Sequence, residues 1–281
     1  MLDRIYQAAD YIKNRSSENY EVAMILGSGL GSLVKEIDII HEIDYGEIPN
    51  FPVSTVEGHS GKLILGQLSG IAIIALQGRF HFYEGYTLQE TTFPIRVLKA
   101  IGVKTLLLSN ASGGLNPQHK IGDIMLIDDH IHLFPDNPLR GKNIAELGPR
   151  FPDMSEPYSF DLLQLAEKLC SKHNIPVHRG VYLGTQGPNY ETKAEYKFFR
   201  KIGADAVGMS TTSETIVAVH SGMKVFAVSV IADLGVEGQI VEISHEEVQA
   251  VAANVEPKLS LLFKEIITKL SCESSIVNAD S

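Results

Sequence analysis

The segment VAMILGSGLG, residues 22–31, decides the fold, because a short apolar run ends there in a cluster of glycines. An apolar run of this length bounded by glycine predicts a buried strand over Val22–Leu26. The segment KTLLLSNASGG, residues 104–114, repeats the pattern and predicts a strand over Lys104–Ser109 that enters a second glycine-rich loop. Ligands bind in loops at the carboxyl ends of strands in α/β sheets, so both loops are candidate binding loops, and the alternative for each is a plain tight turn.

The rest of the chain alternates predicted strands with predicted helices. Ser69-Gly70 separates two short apolar runs, which indicates a hairpin. Ser244 and Glu247 fit the Ser-x-x-Glu capping box at the start of the last helix. The predicted strands are 62–68, 71–76, 124–127, 177–183, 206–209 and 225–231, and the predicted helices are 87–101, 159–173, 213–221 and 244–270. This alternation predicts an α/β sheet covered by helices.

The predicted domain organisation is simple. Glycine, proline and serine are spread through many short turns, and no repeat or long linker divides the chain, so residues 1–270 are predicted to form one domain. Residues 271–281 lose the apolar periodicity and are predicted to form a frayed tail.

Charge and hydropathy exclude several classes of partner. The net charge of −10, from 24 Lys and Arg against 34 Asp and Glu, disfavours nucleic acid and anionic membrane surfaces. The longest apolar runs are well below the roughly 18 residues that a membrane span needs. Residues 1–15 lack the apolar core of a signal peptide, and the two cysteines do not require a disulfide. We therefore expect a cytoplasmic protein.

The segment QGRFHFYEG, residues 77–85, is a candidate anion site. Arg79 and His81 alternate along a predicted extended backbone, so they share one face, and Tyr83 continues that face. An arginine and a histidine on one face suit an oxyanion. The alternative is an exposed, solvated loop, but polar groups in strand-end loops often form sites.

Two further segments combine polar and flat apolar side chains. In GPNYET, residues 187–192, Tyr190 could stack on a planar ring and Glu191 could accept a hydrogen bond from a ring N–H. Alternatively, Thr192 caps a helix with an acidic first turn. In VGMSTT, residues 207–212, Ser210 could donate to an anion and Met209 could line an apolar ligand surface, although core packing is the commoner use of methionine.

Other chemistries find little support in the sequence. The glycine loop at 27–31 has the spacing of neither a dinucleotide fingerprint nor a P-loop, and the chain has no Gly-x-Ser-x-Gly elbow. His130 and His132 follow two aspartates, but no other cluster has a recognisable zinc-ligand spacing. We therefore expect no metal.

Taken together and in order, these segments resemble the trimeric purine nucleoside phosphorylases, with the methylthioadenosine phosphorylases as nearest kin. The resemblance extends from the loop at Gly27 to His245. It is carried by GSGLG (27–31), YGEIPNFPVSTVEGHSGKL (45–63), QGRFHFYEGY (77–86), FPIRVLKAIGV (93–103), SNASGGLNP (109–117), GDIMLIDDHI (122–131), NPLRG (137–141), RFPDMS (150–155), GPNYET (187–192), IGADAVGMS (202–210) and SHEEV (244–248).

The resemblance implies a fold and a reaction. The fold is a single α/β domain in which helices surround a central mixed sheet with a distorted barrel, assembled as a homotrimer. The reaction is the reversible phosphorolysis of purine nucleosides to free purine and ribose or deoxyribose 1-phosphate, in purine salvage. Neither a metal nor an organic cofactor is used, and inorganic phosphate is a co-substrate.

The resemblance also assigns roles to individual residues. His81, Glu191 and Asp233 are the candidate catalytic residues. Phe151 would come from the neighbouring subunit to close the sugar pocket. Phosphate would be bound by Ser28, His59, Arg79, His81, the backbone at Ala111, and Ser210, and the nucleoside by Tyr83, Tyr190, Glu191, Met209, Asp233 and His245.

Asp233 is a departure from the pattern of the family. Nucleoside phosphorylases that prefer 6-oxopurines carry Asn at this position, and methylthioadenosine phosphorylases carry Asp. An ionised Asp233 would favour the amino group of adenine, whereas a protonated Asp233 could pass its proton to N7 as a general acid. We therefore expect a nucleoside phosphorylase that is broadened to adenosine.

Alternative functions remain at this point. Methylthioadenosine phosphorylases lack the counterparts of Glu191 and His245, and an imidazole suits a hydroxyl better than a methylthio group. A non-catalytic nucleoside-binding protein would not need to keep Ser28, Arg79 and His81. A nucleoside hydrolase would need an Asp cluster for its metal, which is not visible in the sequence.

Overall fold

The computed structural model describes residues 1–27, 31–53 and 60–277. Short 3-10 turns connect several of the helices and strands. The elements follow the order α1 (Leu2–Lys13), β1 (Val22–Leu26), β2 (Asp38–Asp44), β3 (Lys62–Leu68), β4 (Ile71–Gln77), α2 (Leu88–Thr91), α3 (Phe93–Ile101), β5 (Thr105–Gly114), β6 (Ile124–His132), α4 (Phe160–Lys172), β7 (Val177–Gly184), α5 (Lys193–Lys201), β8 (Ala206–Gly208), α6 (Thr212–His220), β9 (Lys224–Leu234) and α7 (His245–Val277).

The nine strands form one mixed sheet that closes on itself at one end. Their order is β2-β3-β4-β1-β5-β8-β7-β6-β9, and β9 pairs again with β5, so β5, β8, β7, β6 and β9 enclose a barrel. Strand β1 lies parallel to β4 and β5, whereas β5 and β8 are antiparallel, as are β6 and β9. The predicted α/β fold with a central mixed sheet and a barrel is confirmed.

Strand β5 is longer than the sequence predicted. We expected a strand over Lys104–Ser109 followed by a loop, but the strand continues to Gly114. The reason is its partner β9, which pairs with β5 from Thr105 to Gly114. Glycine permits this pairing, because a Cβ atom at Gly114 would lie 2.7 Å from Cγ2 of Ile231.

The predicted helix over 87–101 is two helices. Helix α2 is capped by Thr87, whose hydroxyl accepts a hydrogen bond from the backbone N–H of Glu90. It ends at Thr91, and the hydroxyl of the C-cap residue Thr92 donates to the carbonyl of Leu88. Helix α3 then starts with Pro94 in its first turn, where the missing N–H of proline costs nothing. The proline therefore marks a new helix start rather than a tolerated interruption.

The last helix begins as predicted and runs further than expected. The backbone N–H of Ser244 donates to Glu247, and the N–H of Glu247 donates back to the Ser244 hydroxyl, so the capping box forms. Helix α7 continues to Val277, beyond the predicted end near Leu270. Among the residues described, no helix is long and apolar enough to cross a membrane.

Candidate active site

One cavity gathers most of the predicted site residues at the mouth of the barrel. Its walls come from the chain after β4, the last part of β5 and the connection from β8 to α6. The chain before α5, the end of β9 and the start of α7 complete them. The predicted residues found there are Arg79, His81, Tyr83, Ala111, Tyr190, Glu191, Met209, Ser210, Asp233 and His245.

Three further predicted site residues are Ser28, His59 and Phe151. Ser28 and His59 lie outside the described residues. Phe151 lies on the surface with 87% of its area exposed, and the guanidinium of Arg150 lies 5.7 Å from the centre of its ring.

Arg79 is buried and contacts both an acidic side chain and a backbone carbonyl. Its Nε donates to Oε1 of Glu214 at 2.8 Å, and its Nη1 donates to the carbonyl of Ser109 at 2.8 Å. Gly27 leaves room for this guanidinium, because a Cβ atom there would lie 2.5 Å from Nη1. A buried charge needs such partners, and they also fix the direction in which the guanidinium points.

His81 lies beside Arg79 and is oriented by Glu84. The Nδ1 atom of His81 lies 3.1 Å from Oε1 of Glu84, and the backbone N–H of His81 donates to the same oxygen at 2.7 Å. The ring stacks on Tyr83 with centroids 4.7 Å apart. We call Arg79 and His81 the Arg–His pair.

Tyr83 reaches the cavity by a different backbone route from the one predicted. The sequence suggested an extended chain through Arg79, His81 and Tyr83, but residues Phe82–Glu84 form a 3-10 turn. The turn still brings Tyr83 to the cavity wall, because its ring lies flat on the ring of His81. Burial raises the pKa of the Tyr83 phenol to about 12, so this hydroxyl is neutral near pH 7.

A network of small polar side chains supports the cavity wall beside Ala111 and Ser210. The hydroxyl of Ser210 lies 3.0 Å from that of Thr211, which accepts a hydrogen bond from the amide of Asn110. The amide oxygen of Asn110 in turn accepts from Ser229. Asn110 lines the cavity, and the sequence analysis missed it. The sequence signal that could have identified Asn110 as a cavity residue was its position between Ser109 and Ala111.

The segment 187–192 forms a helix cap and also contributes two residues to the cavity lining. Thr192 caps α5 in a capping box with Glu195, as the helix interpretation expected. Tyr190 and Glu191 precede that cap and line the cavity. The helix cap therefore fixes the position of the two cavity residues.

Glu191 and Asp233, which we call the carboxyl pair, face the same cavity. Burial raises the pKa of Glu191 to about 7, and the negative charge of Asp233 adds to this shift. Burial also raises the pKa of Asp233, against a hydrogen bond from Tyr196 that lowers it. Two buried carboxyl groups in one site resist ionising together, so this part of the cavity can hold a proton near neutral pH.

His245 and Met209 complete the lining that the sequence predicted. His245 is the first residue of α7, where the Ser244 capping box places it, and its Nε2 lies 3.0 Å from Nε2 of Gln249. Met209 is half-buried against the cavity and follows β8 directly.

The histidines of β6 have local hydrogen-bond partners. His132 lies 2.8 Å from the hydroxyl of Thr212 and 2.9 Å from the carbonyl of Asp136. His130 lies 3.1 Å from the hydroxyl of Tyr158. Within the described ranges, no group of three His, Cys, Asp or Glu side chains could hold a metal ion.

Comparisons with known proteins identify the family of this chain. A family model described as the phosphorylase superfamily matches residues 21–268. Purine nucleoside phosphorylase 1 of Bacillus subtilis is 49% identical over 269 residues, covering 96% of this chain and 99% of the relative. Purine nucleoside phosphorylase of Bos taurus is 45% identical over 272 residues, covering 92% and 93%.

Solved structures show the same fold at similar identity. Isoform 2 of the purine nucleoside phosphorylase of Schistosoma mansoni, in complex with cytosine and ribose-1-phosphate, is 46% identical with a TM-score of 0.89, covering 95% of this chain and 96% of that one. A Schistosoma mansoni purine nucleoside phosphorylase in complex with adenosine is 41% identical with a TM-score of 0.89, covering 96% and 98%. The chain therefore belongs to the phosphorylase superfamily, and within it to the purine nucleoside phosphorylases.

Proposed function

We propose that the cavity binds a purine nucleoside and inorganic phosphate together and catalyses reversible phosphorolysis. The products are the free purine and ribose or deoxyribose 1-phosphate. The observation that carries this proposal is that one cavity is lined both by the Arg–His pair and by the carboxyl pair. The first suits an anion, and the second suits the N–H groups of a purine.

The reaction exchanges one bond at the anomeric carbon. The C1′–N9 bond breaks and its electron pair leaves with the purine, while a phosphate oxygen forms a new bond to C1′. Phosphate also opposes the positive charge that develops on the sugar. The Arg–His pair, the backbone at Ala111 and the hydroxyl of Ser210 hold the phosphate, together with Ser28 and His59 by analogy with the family. These donors stabilise the transition state if they are fixed before the reaction.

The sugar lies between the phosphate and the purine. Tyr83 and Met209 contact its apolar surface, and His245 hydrogen-bonds to the 5′-hydroxyl. This role of His245 disfavours methylthioadenosine as the main substrate, because a methylthio group neither donates nor accepts a normal hydrogen bond.

The purine binds at the carboxyl pair. An ionised Glu191 accepts a hydrogen bond from N1–H of a 6-oxopurine, and a protonated Glu191 donates to N1 of adenine. Asp233 accepts from the amino group of adenine when ionised, and passes a proton to N7 of the leaving base when protonated. We therefore propose that adenosine is accepted as well as inosine or guanosine. The structure of a Schistosoma mansoni purine nucleoside phosphorylase in complex with adenosine supports the acceptance of adenosine.

A substrate panel tests the reaction and its specificity. Inosine, guanosine, adenosine and methylthioadenosine are each incubated with the protein, with and without inorganic phosphate, and the free base is measured. We expect inosine, guanosine and adenosine to release base only when phosphate is present. Release without phosphate would indicate a hydrolase, and no release from any substrate would leave a binding protein.

The active form that we propose is a homotrimer in which Phe151 of one subunit closes the sugar pocket of the next. The ring of Phe151 is 87% exposed in the single chain, so it is accessible to a neighbouring subunit. We place the enzyme in purine salvage in the cytoplasm, and the buried free thiol of Cys170 is compatible with a reducing compartment.

Phe151→Ala tests this arrangement. It should raise the KM for nucleoside by about tenfold, the lower end of what burial of one aromatic ring contributes. Phe160→Ala removes another exposed phenylalanine and serves as the control, with an unchanged KM. Sedimentation velocity at assay concentrations gives the oligomeric state, and a fully active monomer would rule the trimer out.

A further inference from the structure

The hydroxyl of Tyr196 lies next to the carboxyl pair. Tyr196 projects from α5 and is 4% exposed, and its Oη donates a hydrogen bond to Oδ2 of Asp233 at 3.4 Å. Hydrogen bonding from this hydroxyl lowers the pKa of Asp233 and also that of Glu191. A tyrosine hydroxyl carries one proton, so it donates fully to only one of the two carboxyl groups at a time.

Backbone and side-chain contacts hold Tyr196 in place. Its backbone N–H bonds to the carbonyl of Thr192, the residue that caps α5. Gly235 lies against the ring, since a Cβ atom there would fall 2.6 Å from Cγ of Tyr196. The ring also packs with Phe199 and Val207 in a small apolar cluster. The hydroxyl therefore has one defined position relative to the carboxyl pair.

The carboxyl pair has no basic side chain as a direct partner among the described residues. Within the described residues, neither Glu191 nor Asp233 forms an ion pair with Lys, Arg or His at hydrogen-bond distance. Glu195 on α5 adds a further negative charge that raises the pKa of Glu191. The other titratable groups around the cavity are Tyr83, Tyr190, Arg79, His81, His245 and Glu246. The Tyr196 hydroxyl is a neutral side-chain donor that stabilises negative charge on both members of the pair, and a backbone hydrogen bond adds to this at Glu191.

We propose that Tyr196 is a positioning residue for purine recognition. Its hydroxyl holds the Asp233 carboxylate in place at the cavity wall. It also sets the balance between the protonated carboxyl groups, which donate a hydrogen bond to the purine, and the ionised ones, which accept one. Tyr196 does not need to touch the substrate for this role. The inference rests on the proposed function, because it assumes that the carboxyl pair binds the purine ring.

Tyr196→Phe tests this inference without removing the ring. Loss of a donor to a carboxylate disfavours its ionised form. The midpoints of the pH profiles of kcat/KM, which depend on ionisation of the carboxyl pair, should therefore move to higher pH. A lost hydrogen bond of ordinary strength corresponds to a shift of roughly 0.5–1 pH unit. The measurement is kcat/KM for inosine and for adenosine as a function of pH in the wild type and the variant.

Two further variants separate positioning from general stability. Gly235→Ala keeps the hydroxyl but displaces the ring, so it should shift the midpoints in the same direction. Tyr158→Phe removes another buried hydroxyl, which bonds to His130 and Thr215 away from the carboxyl pair, so it should leave the midpoints unchanged. Thermal unfolding of each variant shows whether the fold is retained.

Binding of the free bases distinguishes failure of this inference from failure of the proposed function. Calorimetric titration with adenine and hypoxanthine at several pH values gives the same midpoints without any catalysis. If the wild type releases no base from nucleosides but Tyr196→Phe still shifts these midpoints, the proposed reaction is wrong and the role of Tyr196 stands. Equal losses for both bases with unmoved midpoints would overturn the inference.

Discussion

The Arg–His pair and the carboxyl pair line one cavity but are held in opposite ways. Arg79 contacts Glu214 and His81 contacts Glu84, so each basic side chain has an acidic partner from the protein. The carboxyl pair instead places two acids together, with the Tyr196 hydroxyl as donor. The first arrangement fixes donor geometry, whereas the second favours retention of a proton. Phosphate binding should therefore depend on geometry, and discrimination between purines should depend on protonation.

Among the variants that test this difference between the two pairs, Arg79→Ala should have the largest effect. A charge-assisted contact is typically worth about 1.5–3 kcal/mol, so the KM for phosphate should rise roughly tenfold to a hundredfold. The variant also leaves Glu214 buried without its cation, so the melting temperature should fall. Steady-state kinetics with phosphate varied and thermal unfolding measure the two effects.

Arg179→Ala is the matched control for this prediction. Arg179 also pairs with a glutamate, Glu167, but it lies outside the cavity and is partly exposed. Its loss should leave the KM for phosphate unchanged. An unaltered phosphate dependence in Arg79→Ala would remove Arg79 from the phosphate site.

Asp233→Asn should have the next largest effect, and it acts on the carboxyl pair alone. An amide does not ionise and can donate toward a 6-oxo group, so the ratio of adenosine to inosine turnover should fall. A buried polar group left without a matching partner usually costs about 1–3 kcal/mol, so the ratio should change by roughly tenfold or more. Competition between the two nucleosides in one reaction measures the ratio directly. A ratio that stays at the wild-type value would show that Asp233 does not select the base.

His245→Ala should have the smallest effect and should leave both pairs untouched. Loss of a neutral hydrogen bond costs about 0.5–1.5 kcal/mol, so kcat/KM for inosine should fall by a few-fold to tenfold. Its 5′-deoxy analogue should lose much less, because it lacks the hydroxyl that His245 binds. Equal losses on the two substrates would argue against this contact.

Much of the fold could be predicted from local sequence patterns. Strands such as Val22–Leu26 are buried on both faces, so their apolar runs identify them. Strand β2 was missed because it lies at the sheet edge with most of its side chains exposed, which removes the apolar run. The extension of β5 to Gly114 was missed because its pairing with the distant β9 determines it.

The site was predictable to the extent that its residues belong to recognisable segments. Arg79 and Glu191 belong to such segments, and both reach the cavity. Tyr196 has no such signal, because its importance comes from the approach of α5 to Gly235 and Asp233. Pairings of this kind depend on tertiary packing, which a single sequence does not reveal.

The most direct test of the contrast between the two pairs is the pH dependence of kcat/KM for inosine and adenosine in the wild-type protein. The pKa of Glu191 is raised to about 7, so its ionised form increases as the pH rises through that value. Inosine needs the ionised carboxylate for N1–H, whereas adenosine needs the protonated acid for N1. We predict that kcat/KM rises with pH for inosine and falls for adenosine, with both midpoints near 7. Parallel profiles for the two nucleosides would contradict the role of the carboxyl pair.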